Sequence, residues 1–158
     1  MADAKFKDGG EAPLRLLAQE AGDLPVLSAL LQDAVLTGAD VTYDRRRRRF
    51  VALLNRFRWE DREEAARDSR PFERVRSVLT VEDVLSAQVM GIAPGQKDEV
   101  LSILSLTWEP QEEGSGRLTL TFAGDGALAL QLEALELRLD DVTRPYLAPS
   151  GRQPDHGL

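Results

Sequence analysis

The sequence has 158 residues, 27 of them acidic and 20 basic, for a net charge of −7, and it contains no cysteine. Thiol chemistry, disulfides and thiolate metal sites are thereby excluded, and the acidic balance argues against general affinity for nucleic acid or anionic membranes. The length suits one domain around one core, no apolar run is long enough to span a bilayer, and the cysteine-free composition fits a soluble protein of the reducing cytoplasm.

Residues 1–13 are polar and read as a disordered leader, 14–146 as a single domain, and 147–158 as a loose tail. Leu14 to Gln19 suits a short strand. Gly22-Asp23 then breaks the chain and starts a helix, with Asp23 as N-cap and Pro25 tolerated in the first turn. Leu27, Leu30, Leu31, Ala34 and Val35 follow helical spacing and form one apolar stripe, and Gly38 is the natural terminator. No second strong amphipathic helix follows, so the stripe is expected to lie on a sheet.

Val41 to Asp44 and Phe50 to Trp59 read as a hairpin around the run Arg45 to Arg49. Next come a charged stretch with a helical turn over Asp61 to Asp68, strands at Arg74 to Val81 and Val84 to Met90, and a turn at Pro94-Gly95. Val100, Ser102, Leu104, Leu106 and Trp108 occupy alternate positions, the period of a strand, which predicts one shared face. After a turn over Glu112 to Gly116, Leu118, Leu120 and Phe122 alternate in the same way. Gly124-Asp125-Gly126 supplies the backbone angles of a tight hairpin. Leu128, Leu130 and Leu132 are followed by Leu135, Leu137 and Leu139, out of step by one, and such a slip calls for a sharp bend at Glu133-Ala134.

The stretch Val51 to Ile92 resembles Val100 to Val142. At a constant offset Val51 falls on Val100, Phe57 on Leu106 and Trp59 on Trp108, while Val81-Glu82-Asp83-Val84 resembles Leu132-Glu133-Ala134-Leu135 at a slightly larger one. Repetition on this scale suggests one supersecondary unit used twice. The fold class is therefore α+β: mainly antiparallel strands, as a sheet or partly closed barrel of two related units, with one N-terminal helix.

Taken together, LRLLAQEAGDLPVLSALLQDAVL, RRRRRFVALLNRFRWED, VLSILSLTWEP and LTLTFAGDGALALQLEALELRLDDV resemble an alphaproteobacterial family of unknown function, family 2948. The resemblance runs from Leu14 to Tyr146, departs at Tyr146 where a tryptophan is expected, and implies a compact bacterial cytoplasmic domain. It implies no activity and brings no site residues.

Arginine dominates the candidate sites. Arg45 to Arg76 holds 12 basic residues against 6 acidic ones, so an anion-seeking surface belongs there. Arg45, Arg46, Arg47, Arg48 and Arg49 suit phosphate, because guanidinium forks keep their charge; a solvated turn is the weightier reading. If Val51, Leu53, Phe57 and Trp59 face the core, then Arg56 and Arg58 face outward and crowd Arg74 and Arg76 on the next strand, where like charges destabilise a sheet. Their neutraliser is either the protein's own loop, through Asp61, Glu63, Glu64, Asp68 or Glu73, or a bound anion; the loop is favoured. Asn55 on the core-facing row needs hydrogen-bond partners.

Glu82-Asp83, Glu112-Glu113 and Asp140-Asp141 each point to opposite sides of a strand, so none makes an acid-base couple alone. The sole histidine, His156, lies in the tail. Both Gly-X-Gly turns lead into strands rather than helices, unlike a phosphate cradle. No catalytic residue, metal site or cofactor is expected. The leading reading is a non-enzymatic binding or protein-interaction domain, as a homodimer through an exposed sheet edge or with a protein partner. An anion or nucleic-acid binder built on the nine arginines named above is second, and an enzyme of carboxylates and arginines third.

Overall fold

The computed structural model describes residues 13–61, 66–67, 73–92 and 98–147. It is mainly antiparallel sheet with one short helix, α1 (Leu24–Leu31), near the N-terminus. The strands are β1 (Arg15–Ala18), β2 (Val35–Thr37), β3 (Val41–Asp44), β4 (Arg49–Phe57), β5 (Glu73–Val81), β6 (Val84–Met90), β7 (Val100–Pro110), β8 (Gly116–Phe122), β9 (Ala127–Leu132), β10 (Leu137–Asp141) and β11 (Tyr146–Leu147). They pair in the order β1-β10-β5-β4-β2-β7-β8-β9-β6, with β3 beside β4 and β11 beside β5. The path has two ends, β1 and β6, and the sheet does not close. The leader, the tail with His156, the Pro94-Gly95 turn and most of the expected Asp61–Asp68 turn lie outside the described residues.

The short strand β2 divides the sheet into two halves. It pairs with β4 only at Val35 opposite Asn55, and with β7 over Val35 to Thr37. On one side lie β4, β5, β10 and β1, on the other β7, β8, β9 and β6. Each of the two similar stretches sends its last strand into the other half: β6 pairs with β9 and β10 with β5. The chain crosses at two neighbouring corners. At Glu82-Asp83, Asp83 takes a φ of 57°; at Glu133 to Glu136 the bend expected from the out-of-step leucines is found. The corners hold each other, since the Glu82 amide donates to the Glu136 carbonyl at 2.9 Å and the Glu133 amide to the Asp83 carbonyl at 2.9 Å.

One continuous core runs through both halves, from Phe50, Leu79 and Val81 to Leu118, Leu120, Leu130 and Leu132, with Leu24, Leu27 and Leu31 of α1 packed into it. α1 lies chiefly on β7, where the Ser28 hydroxyl accepts from the Leu106 amide at 3.0 Å. Asp23 stands at the N-cap position, but its carboxylate turns back to the amides of Gln19 and Glu20.

Three expectations are corrected. The helix stops at Leu31, well before Gly38, because Asp33 turns left-handed (φ 64°) and donates its amide to the Ile103 carbonyl at 2.8 Å, after which Val35 pairs as strand. Pairing with β7 satisfies the backbone better than another helical turn there. In β4 the inward row is Phe50, Ala52, Leu54 and Arg56, not Val51, Leu53 and Asn55. In β7 a register shift between Ile103 and Ser105 breaks the alternation, so Ile103 and Leu106 are buried while Val100 and Leu104 are exposed. Trp108 stays packed: a Cβ at Gly116 would meet its indole at 2.5 Å, so only glycine fits beneath the ring.

Candidate functional site

The arginine run sits where the two halves meet. Asp44 folds the turn by accepting from the amides of Arg46 and Arg47 at 3.1 and 3.2 Å. Arg48 reaches Glu133 at 3.1 Å, and Arg49 Nε forks onto both oxygens of Glu82 at 3.0 and 3.1 Å. These two pairs bind the run to the two crossing corners, and the Arg48 carbonyl accepts from the Val84 amide at 2.8 Å. The hydrogen bond and charge of Glu82 raise the pKa of Arg49. Arg45 lies over the Tyr43 ring, 5.9 Å from its centroid, and Arg46 and Arg47 are exposed.

Arg56 is at the far end of β4 and faces inward, 0% exposed. Its guanidinium forks onto Glu60 at 2.9 and 2.8 Å, meets Asp141 at 2.9 to 3.2 Å, and touches the Ser77 hydroxyl at 3.1 Å and the Phe57 carbonyl at 3.1 Å. Ser77 donates to Asp141 at 2.7 Å, and the Leu14 amide donates to the other oxygen of Asp141 at 2.8 Å. Cross-strand register explains the convergence, because Ser77 lies opposite Leu54 on β4 and opposite Asp141 on β10. Burial alone would raise the Glu60 carboxyl, yet the hydrogen bond and charge of Arg56 win and lower it. Burial opposes the charge of Arg56 too, and the two carboxylates overcome it, so its pKa rises.

Arg58 is also buried, with its guanidinium 2.6 Å from Glu73. Arg74 and Arg76 do share the outer face of β5, as expected. Arg74 lies over Phe57, its cross-strand neighbour, 3.9 Å from the ring centroid, with one weak contact to the Asn55 carbonyl at 3.4 Å. Burial lowers its pKa, against the charges of Tyr146 and Asp33. Arg76 is exposed and borders a cleft of about 140 Å³ where β2 and β4 diverge, together with Asn55, Thr37 and Asp40. Asn55 lies on this outer face and accepts from the Tyr146 hydroxyl at 2.7 Å.

The nine arginines therefore divide into a corner clamp, a buried pair and an outer-face pair rather than one patch. Arg56 and Arg58 do not crowd Arg74 and Arg76, because β4 turns the opposite face to the core. Of the proposed neutralisers, Glu73 holds Arg58; Glu63, Glu64 and Asp68 lie outside the described residues. Among the described residues, neither Arg74 nor Arg76 has a carboxylate within ion-pair distance. Glu60 and Asp141, the partners of Arg56, were not legible as such; the only hint was that Asp140 and Asp141, adjacent on a strand, point to opposite sides.

The feature that motif reading passed over is β6. It ends the sheet path and carries no charge in Val84-Leu85-Ser86-Ala87-Gln88-Val89-Met90. Leu85 is 45% and Val89 58% exposed. At the opposite end, β1 has four residues, begins with Arg15 and places Ala18 in the core. A shallow apolar groove also lies between α1 and β7, bordered by Leu24, Pro25, Leu104 and Trp108.

A sequence family described as "Protein of unknown function (DUF2948)" matches residues 14–156. No curated protein and no solved structure matches the chain. Among the described residues no helix is long and apolar enough to cross a membrane, and no group of three or more potential ligands is arranged to hold a metal ion.

Proposed function

The chain belongs to the DUF2948 family, and from that premise we propose that it is a non-enzymatic protein-interaction domain of the cytoplasm, with the free edge of β6 as its docking element. The observation that carries this reading is the edge itself. Terminal strands expose unpaired N–H and C=O groups and are normally blunted with charge, proline or shortness. β6 has seven residues, no charged side chain and no proline. It is blunted at one end, where a register shift falls between Val84 and Ser86 and where the Val84 amide and carbonyl are taken by the Arg48 carbonyl and the Tyr43 hydroxyl; Ser86 to Met90 stay in regular pairing with β9. An edge of this kind receives a further strand through main-chain hydrogen bonds.

Arg56, Glu60 and Asp141 support the non-enzymatic reading. They are satisfied by one another, and neither the α1–β7 groove nor the β2–β4 cleft is lined by them. We also read the two halves as one duplicated unit, supported by the matched flanking of β2 by β4 and β7.

The test is site-specific photocrosslinking in cells from a reactive side chain placed at Gln88, compared with one at Leu17 on β1. A protein strand attached at Gln88 and absent at Leu17 is expected. Equal labelling at the two sites, or none, refutes the assignment of the edge.

A second reading rests on Arg74 and Arg76, the outer-face pair without an ion-pair partner among the described residues. Under it, phosphate-bearing ligands bind beside Asn55 and Tyr146. Titration with single-stranded RNA should then give an affinity that falls steeply with salt, and Arg74→Glu with Arg76→Glu should abolish it. Salt-independent binding, or none, removes this reading.

A further inference from the structure

We propose that the cleft between β2 and β4 binds a small zwitterion, a free α-amino acid with a short apolar side chain, with its carboxylate at Arg76 and its ammonium at Asp40. A break in the ladder builds this cleft. β2 and β4 pair only at Val35 opposite Asn55, and carrying that register two residues further would set Thr37 against Leu53. Instead the Thr37 amide and hydroxyl both donate to Asp40 Oδ2, at 2.8 and 3.0 Å, in the capping box of the short turn Gly38–Asp40. The next partner of β4 on that side is β3, from Ala52 onward. Leu53 and Leu54 are left there without an opposing strand residue, and the cleft opens over them.

Charges of both signs border this one cleft without meeting. Among the described residues, neither Asp40 nor Arg76 has an ion-pair partner, and Asp40 Oδ1 accepts no hydrogen bond. A half-buried carboxylate and a guanidinium that stay apart on the rim of one small space suit a ligand carrying both charges. Asn55 is the cross-strand neighbour of Arg76, and with its Oδ1 accepting from the Tyr146 hydroxyl at 2.7 Å it keeps its amide N–H groups for the same carboxylate. Val35, Leu53 and Val100 make the rest of the lining largely aliphatic, which suits an apolar side chain. Size narrows the class further: about 140 Å³ is well below the roughly 300 Å³ at which pockets for larger ligands begin, so an amino acid fits and a nucleotide does not. A phosphate would be set beside the Asp40 carboxylate, and like charges brought together are penalised. The inference is independent of the β6 edge and shares only Arg76 with the phosphate reading.

Titration of the isotope-labelled full chain with L-alanine, followed through its amide NMR signals, tests the site. The signals of Thr37, Asp40, Asn55 and Arg76 should move together and saturate. N-acetyl-L-alanine, which lacks the ammonium, and L-alaninamide, which lacks the carboxylate, should each bind about tenfold more weakly or worse, because each forfeits a hydrogen bond to a charged group. Asp40→Asn keeps an acceptor oxygen for Thr37; it should weaken L-alanine by a similar factor and leave N-acetyl-L-alanine unchanged. Arg76→Gln should weaken L-alanine and leave L-alaninamide unchanged. That crossed pattern assigns each charge to its residue, which a damaged fold would not do. No saturable shift with L-alanine, an equal response to the three ligands, or the same loss for every ligand in both variants overturns the inference. Inorganic phosphate moving these signals where L-alanine does not also overturns it, in favour of the phosphate reading.

Discussion

Arg56 shows how one residue can hold an end of the core. Its guanidinium is held by Glu60, Asp141 and Ser77, and removing it strands the buried Asp141 carboxylate, while Glu60 stays within reach of water. Breaking a buried pair from one side costs about 3–5 kcal/mol, so Arg56→Ala should lower the urea-unfolding free energy by that amount, beyond an ordinary surface change. Glu60 adds a pH dependence of known sign. Its carboxyl titrates lower in the folded chain than its ordinary value of about 4.3. The stability it contributes is complete above that value and is lost as pH falls through the depressed folded value. Glu60→Gln should therefore differ most from the wild type near neutrality, and urea midpoints of the two should converge on acidification. Midpoints separated by a constant amount at every pH would show that Glu60 acts by shape rather than charge.

At the scale of elements, packing partners set where strands start, bend and stop. Trp108 rests on Gly116 of the neighbouring strand, and there is no room for a Cβ between them. Overpacking of this kind costs about 1–3 kcal/mol. Gly116→Val should destabilise by that amount and shift the tryptophan emission to the red, whereas in a Trp108→Ala background the same substitution should cost less but not nothing, because the Glu109 carbonyl would still stand 2.6 Å from the added Cβ. An additive double-mutant cycle would show that the indole does not set the glycine requirement. The corners behave similarly: Arg49 holds Glu82 and Arg48 holds Glu133, so two arginines of the run that reads in the sequence first as a solvated turn and second as a phosphate site serve the crossing of strands between halves. Position of an arginine cluster in sequence gave no means of knowing that acidic corners would be folded against it.

For the molecule as a whole, the crossing of β6 and β10 makes neither half complete without the other. A single core spans both. Unfolding should accordingly be one cooperative transition. Trp59 lies in one half, with its indole N–H donating to the Gln32 carbonyl at 2.8 Å, and Trp108 lies in the other. Single-tryptophan variants made by Trp59→Phe and by Trp108→Phe should report transitions coincident with each other and with circular dichroism once each is corrected for its own stability. Separate transitions within one variant would show two independent folding units.

Local patterning was sufficient for most of the strands, the hairpin through Gly124-Asp125-Gly126 and the bend after Leu132, because side-chain period and turn chemistry act within a few residues. Which face of β4 enters the core was not decided there: a period of two says that Phe50, Ala52, Leu54 and Arg56 share a side, but not that this side is the inner one. The end of α1 at Leu31, the exchange of β6 and β10, and the isolation of β6 at the edge depended on backbone partners distant in sequence. Those partners exist only once the chain has folded, and so tertiary structure alone decided which arginines are buried and which strand is left open.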